Sequence, residues 1–191
     1  MLHEAKVSLN VIVAMACMAL QASGCQAVTE HRSDASAGLN GGFEVVRDGL
    51  PVNWLFYLPA GRGDSQSHMT LDTVVFKEGR QSLKFEVQSI TDRRPGFTNE
   101  FSDIGRFRGP AQYSVTFWAM NDGTAFVMSS GPVSATTGDM RAAVESAVRL
   151  DEWTEFTFTV DVPKDKWLRL QLLLLSPGSF WIDDVRIERV D

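Results

Sequence analysis

The feature that most constrains this chain is a period-two alternation of apolar and polar residues that keeps returning between residues 83 and 190. Leu83, Phe85 and Val87 alternate with Lys84, Glu86 and Gln88, and Tyr113, Val115, Phe117 and Ala119 alternate with Ser114, Thr116, Trp118 and Met120. Phe156, Phe158, Val160 and Val162 do the same, as do Leu168, Leu170, Leu172 and Leu174. Successive side chains of a strand point to opposite faces, so each run predicts a half-buried strand. Turn formers separate the runs, among them Asp48-Gly49, Glu78-Gly79, Asp122-Gly123 and Pro177-Gly178. Helix signals barely occur. Residues 140–148 have helical propensity without a clear cap, and Val144 and Val148 make a strand nearly as good a reading. Many short antiparallel strands in about 150 residues imply an all-β fold, a two-sheet β-sandwich or jelly roll.

The last run carries an interruption. Phe180, Trp181 and Ile182 alternate, the adjacent carboxylates Asp183 and Asp184 disturb the register, and Val185 and Ile187 resume it. Carboxylates inside an apolar strand need compensation by a cation, an arginine or backbone N–H groups, or else sit exposed at a bulge. Adjacent strand residues face opposite ways, so Asp183 is the stronger candidate for the buried role.

The start of the chain bears on location. After Lys6, residues 7–20 are apolar except for Ser8 and Asn10, the length of a signal-peptide core and short for a bilayer span. Ala22-Ser23-Gly24-Cys25 resembles the bacterial lipoprotein processing site, with Cys25 as the lipidation point. Ala22 stands where such signals usually have Leu, so simple cleavage and secretion is the alternative. Gln26 follows Cys25, which by resemblance to Gram-negative lipoproteins favours the outer membrane. Residues 1–25 are thus expected to be a signal peptide, 26–38 a polar, flexible tether, and 39–191 one domain. Cys17 and Cys25 are the only cysteines, so that domain holds no disulfide or thiolate metal site.

Several motifs together resemble the CenC-type carbohydrate-binding modules grouped as families 4, 9 and 22, which are galactose-binding-like β-jelly rolls. They are Asn40-Gly41-Gly42-Phe43-Glu44, Leu50-Pro51-Val52-Asn53-Trp54 and Glu78-Gly79-Arg80-Gln81-Ser82-Leu83-Lys84. They continue with the run from Tyr113 to Met120, with Trp153-Thr154-Glu155-Phe156, and with Phe180-Trp181-Ile182-Asp183-Asp184-Val185. The resemblance spans most of residues 39–191. It also takes in domains that precede catalytic domains in secreted enzymes, where no sugar role is implied. It implies a structural Ca2+ held by the Glu44 and Asp183 side chains, with backbone carbonyls near Gly41, Lys77 and Gly79. Six to eight oxygens are what such a cation takes. The alternative is that Glu44 pairs with Arg80.

Sugar binding asks for aromatic rings that stack on pyranose faces, flanked by amides and charged groups. Trp118 faces away from the apolar side of its strand, as do Gln88, Arg169 and Gln171 on theirs, so one amphipathic face bearing all four is the main candidate. Tyr57, Arg93, Arg94, Phe97 and Asn99 are loop candidates, whereas Trp54 and Trp153 are expected to pack. Catalysis is the minority reading. His68 is the domain's one histidine, no Gly-x-Ser-x-Gly elbow, phosphate loop or dinucleotide fingerprint occurs, and carboxylate pairs from Glu86, Glu100, Asp103 or Glu155 are easy to imagine in so acidic a chain. Arg62-Gly63-Asp64-Ser65 spells the integrin-binding tetrapeptide and reads as a coincidence in a turn. Arg93 and Arg94 with Arg106 and Arg108 read as solvated loop arginines or as an approach for an anionic glycan or a protein. A net charge of -6 gives no nucleic-acid footprint.

The reading is a secreted, lipid-anchored, monomeric and non-catalytic jelly-roll domain for a polysaccharide or cell-envelope glycan. The alternative is a protein-interaction or scaffold module. In that case the Trp118 face docks a partner or is covered by residues 129–148.

Overall fold

The computed structural model describes residues 33–59, 63–99 and 106–190. Cys25 and the rest of the signal segment, with Glu100 and Asp103, lie outside these residues. Two five-stranded antiparallel sheets pack face to face as a β-sandwich jelly roll. The first has the order β10 (Leu150–Val162), β7 (Ala111–Asn121), β12 (Gly178–Arg189), β5 (Ser82–Ser89), β4 (Gln66–Asp72). The second has the order β3 (Trp54–Tyr57), β6 (Gly96–Asn99), β11 (Trp167–Leu174), β8 (Phe126–Val133), β9 (Arg141–Ser146). A small ribbon of β1 (Val46–Arg47) and β2 (Leu50–Pro51) precedes them.

The alternation decides which face is buried. Leu83, Phe85, Val115, Phe117, Leu170, Leu172, Phe180 and Ile182 meet between the sheets with no exposed surface. Aromatic side chains fill much of this layer: Phe97 takes Trp54 edge-on at 4.9 Å between centroids, and Phe126 packs against Phe180 at 4.9 Å. Trp54 donates its indole N–H to the Asn40 carbonyl at 3.0 Å, so its polar edge is satisfied inside the core.

The structure decides between the two readings left open for residues 140–148 and removes the cover proposed for Trp118. Residues 141–146 form strand β9, because β8 offers them an open sheet edge and cross-strand hydrogen bonds outweigh the helical propensity of the alanines. Residues 129–148 therefore belong to the second sheet and do not cover Trp118. Residues 34–38, at the end of the expected tether, are in contact with the domain. Asp34 caps the 3-10 turn Ala35–Ala37, and the Asn53 amide donates to the Asp34 carbonyl at 2.7 Å while accepting from its N–H at 2.8 Å. The ordered domain thus takes in residues 34–38.

The carboxylate pair lies at a bulge in β12, where register shifts between Asp183 and Arg186 opposite β7. Asp184 takes a left-handed backbone, φ 50°, which turns Asp183 into the interior and returns Val185 to the core. The opening motif packs against this bulge. A Cβ on Gly41 would stand 1.7 Å from the Val185 carbonyl oxygen, and the Val185 N–H donates to the Gly41 carbonyl at 3.0 Å.

Candidate functional site, a cleft on the second sheet

A cavity forms on the outer face of the second sheet. Cross-strand register sets Tyr57, Gly96 and Leu173 in one row across β3, β6 and β11, and Leu55, Thr98 and Gln171 in the next. Gly96 contributes no side chain to the first row, and a Cβ there would stand 2.0 Å from the Leu172 carbonyl oxygen. The gap it leaves between Tyr57 and Leu173 opens a slot of about 490 Å³, within the range typical of small-ligand sites. Leu55, Leu58, Pro59 and Leu173 supply apolar walls, Tyr57 a ring with a hydroxyl, and Gln171 an amide. Asp92, Arg93 and Arg94, in the loop entering β6, form the rim.

That rim is held from below. Ser65 is buried, and its hydroxyl accepts from the Thr91 N–H at 2.7 Å and donates to the Arg93 carbonyl. The Arg93 N–H in turn donates to the Thr91 hydroxyl at 3.3 Å, and the Arg93 guanidinium meets the Asp64 carboxylate at 3.4 Å. Two residues of the apparent integrin motif, Asp64 and Ser65, thus hold the rim of the cleft. Arg169 projects outward from β11 two positions from Gln171. Partial burial lowers its guanidinium pKa while Tyr57 acts in the other direction.

The sequence candidates are divided by this geometry. Tyr57, Gln171, Arg93 and Arg94 line the cleft, and Arg169 shares its sheet face. Trp118 and Gln88 lie on the outer face of the first sheet, on the opposite side of the sandwich, so the single face bearing Trp118, Gln88, Arg169 and Gln171 does not form. The Trp118 ring is capped by the Lys77 ammonium at 4.0 Å from its centroid. Phe97 and Asn99 are strand residues of β6, not loop residues. Phe97 has no exposed surface, and the Asn99 amide bridges the Leu168 carbonyl at 3.3 Å and the Leu170 N–H at 2.8 Å. Arg106 packs near Gly38 and Arg108 pairs with Trp167, so neither lines this cleft. His68 is exposed on β4 in the other sheet. Leu55, Leu58, Pro59, Asp92 and Leu173 were not among the candidates. The available signal was apolar residues at outward positions, Leu55 on β3 and Leu173 within the leucine run.

The expected metal ligands converge at the far end of the sandwich. Asp183 is fully buried: its Oδ2 accepts from the Lys77 and Glu78 N–H groups at 2.9 and 3.0 Å, and its Oδ1 from the Asp184 N–H at 2.7 Å. Burial pushes its carboxyl pKa up, and these three amides offset that only in part. Glu44 accepts from the Arg80 N–H at 2.6 Å and meets its guanidinium at 3.4 Å. The Glu44 Cγ and the Asp183 Oδ1 both lie near Gly42, and the Glu44 carboxylate occupies the space that a Cβ on Gly79 would fill. Among the described residues no three acidic, histidine or cysteine side chains cluster, so a cation here would need carbonyl oxygens and water besides these two.

No protein-family model matches the chain, and no curated protein matches it. Solved structures do. The fold is similar to that of the CBM22-1–GH10 modules of the N-terminal endo-1,4-beta-D-xylanase 10B from Clostridium thermocellum, solved with xylohexaose. That match has a TM-score of 0.59 at 22% identity, over 79% of this chain and 28% of that one. The CBM22-1 xylan-binding domain of Paenibacillus barcinonensis Xyn10C matches with a TM-score of 0.58 at 12% identity, over 79% of this chain and 92% of that one. The C-terminal family 22 carbohydrate binding module of Clostridium thermocellum Xyn10B, whose cleft is concerned in ligand binding, matches at 0.52 and 14%, over 87% and 96%. The chain therefore has the jelly-roll fold of carbohydrate-binding modules.

Proposed function

We propose that this chain is a non-catalytic glycan-binding domain that takes a polysaccharide or cell-envelope glycan in the cleft of β3, β6 and β11. The observation that carries this reading is the slot between Tyr57 and Leu173, apolar along its walls, with the Gln171 amide and the Arg94 guanidinium at its edges. A pyranose offers apolar faces to a ring and hydroxyls to amides and charges, which is the complement of such a lining. The cleft-bearing family 22 module of similar fold supports it. Among the described residues Asp92 is the one carboxylate lining the cleft, short of the pair that glycoside hydrolysis uses.

The test is a glycan array followed by affinity electrophoresis with the purified chain and its Tyr57→Ala and Gln171→Ala variants. Binding that falls at least about tenfold in both variants at unchanged melting temperature supports the reading. No binding to any glycan overturns it and turns the search toward a protein partner.

Two further parts belong to the same proposal. Calcium, if bound, sits at the junction of Glu44 and Asp183, where two carboxylates converge, and clamps the 76–80 loop to β12. A melting temperature that rises with calcium and falls in chelator supports this. Equal values in both remove calcium and leave the N–H network as what holds the junction. Delivery to the cell envelope rests on the signal segment and on lipidation of Cys25. Labelling with a fatty-acid analogue, lost in Cys25→Ala, checks it.

A further inference from the structure

The cleft is basic in an acidic protein. The chain carries a net charge of -6, yet Arg93 and Arg94 stand on the cleft rim and Arg169 projects from the same sheet face beside Gln171. Against these three guanidinium groups stand, among the described residues of the cleft, Asp92 on the rim and Asp64 behind Arg93. Asp64 meets Arg93 through one guanidinium nitrogen, at 3.4 Å. Arg94 is exposed and makes no ion pair or side-chain hydrogen bond among the described residues. Ser65 and Thr91 fix the backbone that carries both rim arginines, so the charge is held in place rather than scattered on a loose loop.

A neutral polysaccharide can take a guanidinium as a donor to its hydroxyls, but it offers no charge to balance a rim of several cations. A hydroxyl both donates and accepts and is matched by an amide, which does both, or by a carboxylate that accepts from it; a guanidinium only donates, in a planar fork that matches a carboxylate. Building on the glycan-binding reading above, we infer that the cleft selects an acidic glycan, one bearing uronic-acid carboxylates, with Tyr57 and Leu173 against the sugar ring and Arg94 on the carboxylate. Arg93 and Arg169 would then set the sign of the field along the cleft.

The experiment compares binding of the purified chain to an acidic polysaccharide, polygalacturonate or a glucuronate-bearing xylan, with binding to the same polymer after chemical reduction of its carboxyl groups. Affinity for the acidic form at least about tenfold above that for the reduced form supports the inference. A fall in the ratio of the two affinities in Arg94→Gln, to about that of the uncharged comparison, assigns the margin to Arg94. Raising salt from about 50 to about 500 mM should weaken binding to the acidic form alone, since screening acts on exposed charges. Equal affinity for both forms overturns the inference and leaves the glycan reading standing. While the glycan reading stands or falls with the glycan array, binding to neither overturns the inference. Binding to polyglutamate as strong as to the acidic glycan, with Tyr57→Ala without effect, also overturns it, since the contact is then one of charge alone.

Discussion

Asp183 is a buried carboxylate on which distant parts of the fold meet. Its carboxylate receives N–H groups from Lys77, Glu78 and Asp184 and so ties the 76–80 loop to the β12 bulge in the interior. Removing it leaves three donors without partners, each costing about 1–3 kcal/mol where water cannot reach. Asp183→Ala should therefore lose about 3 kcal/mol or more in urea unfolding. Asp183→Asn should lose less, because it keeps one acceptor oxygen while turning an NH₂ toward amide donors. Asp72 works in a wetter setting. Burial pushes its carboxyl up, but the Trp181 indole N–H at 2.9 Å and the Val75 and Val74 amides, with Lys84 nearby, outweigh this and hold it below its ordinary value of 3.8. A carboxylate whose folded pKa is depressed adds stability above the unfolded pKa and loses it as pH falls through the folded one. Trp181→Phe should thus be less stable than the natural chain at about pH 6, and the gap should narrow toward about pH 2, in thermal unfolding followed by circular dichroism.

At the scale of elements, strands of seven or more residues with clean alternation were legible, because one face of each is core and the other is not. The short ones were not. β6 is four residues long, follows Pro95, begins at Gly96 and is buried on both faces, so Phe97 and Asn99 had no alternation to reveal them. Yet β6 lies between β3 and β11, the two strands whose side chains line the cleft. β9 was ambiguous for another reason: it lies at a sheet edge, half in water, so its side chains are not sorted by burial. The rim loop before β6 depends on Ser65, whose hydroxyl serves both Thr91 and Arg93. Ser65→Ala should cost about 1–2 kcal/mol by leaving that amide and that carbonyl unpaired in a buried place. It should also weaken glycan binding several-fold while leaving the Tyr57 and Gln171 side chains in place. A titration and a melting curve on the same variant check both.

Across the whole molecule, the alternation tells whether a side chain faces in or out, but not on which of the two sheets. Trp118, Gln88, Arg169 and Gln171 all face outward as read, and they divide because β7 and β5 flank β12 in one sheet while β11 pairs with β6 and β8 in the other. That pairing joins segments far apart in sequence, and no local pattern encodes it. The consequence is a separation of roles. The Trp118 face holds a tryptophan capped by Lys77, and the opposite face holds the open slot beside Tyr57. Trp118→Ala deletes a ring from a half-exposed sheet face and breaks its cation–π contact, a loss of about 1 kcal/mol or somewhat more in stability. Glycan affinity should not change, since the sandwich core lies between that residue and the cleft. Tyr57→Ala should do the reverse, costing little stability and at least about tenfold in affinity. Titration calorimetry and urea unfolding on the two variants measure both quantities. A loss of glycan affinity in Trp118→Ala with Tyr57→Ala unaffected would move the site to the first sheet, whereas the reversed pair keeps it on the second.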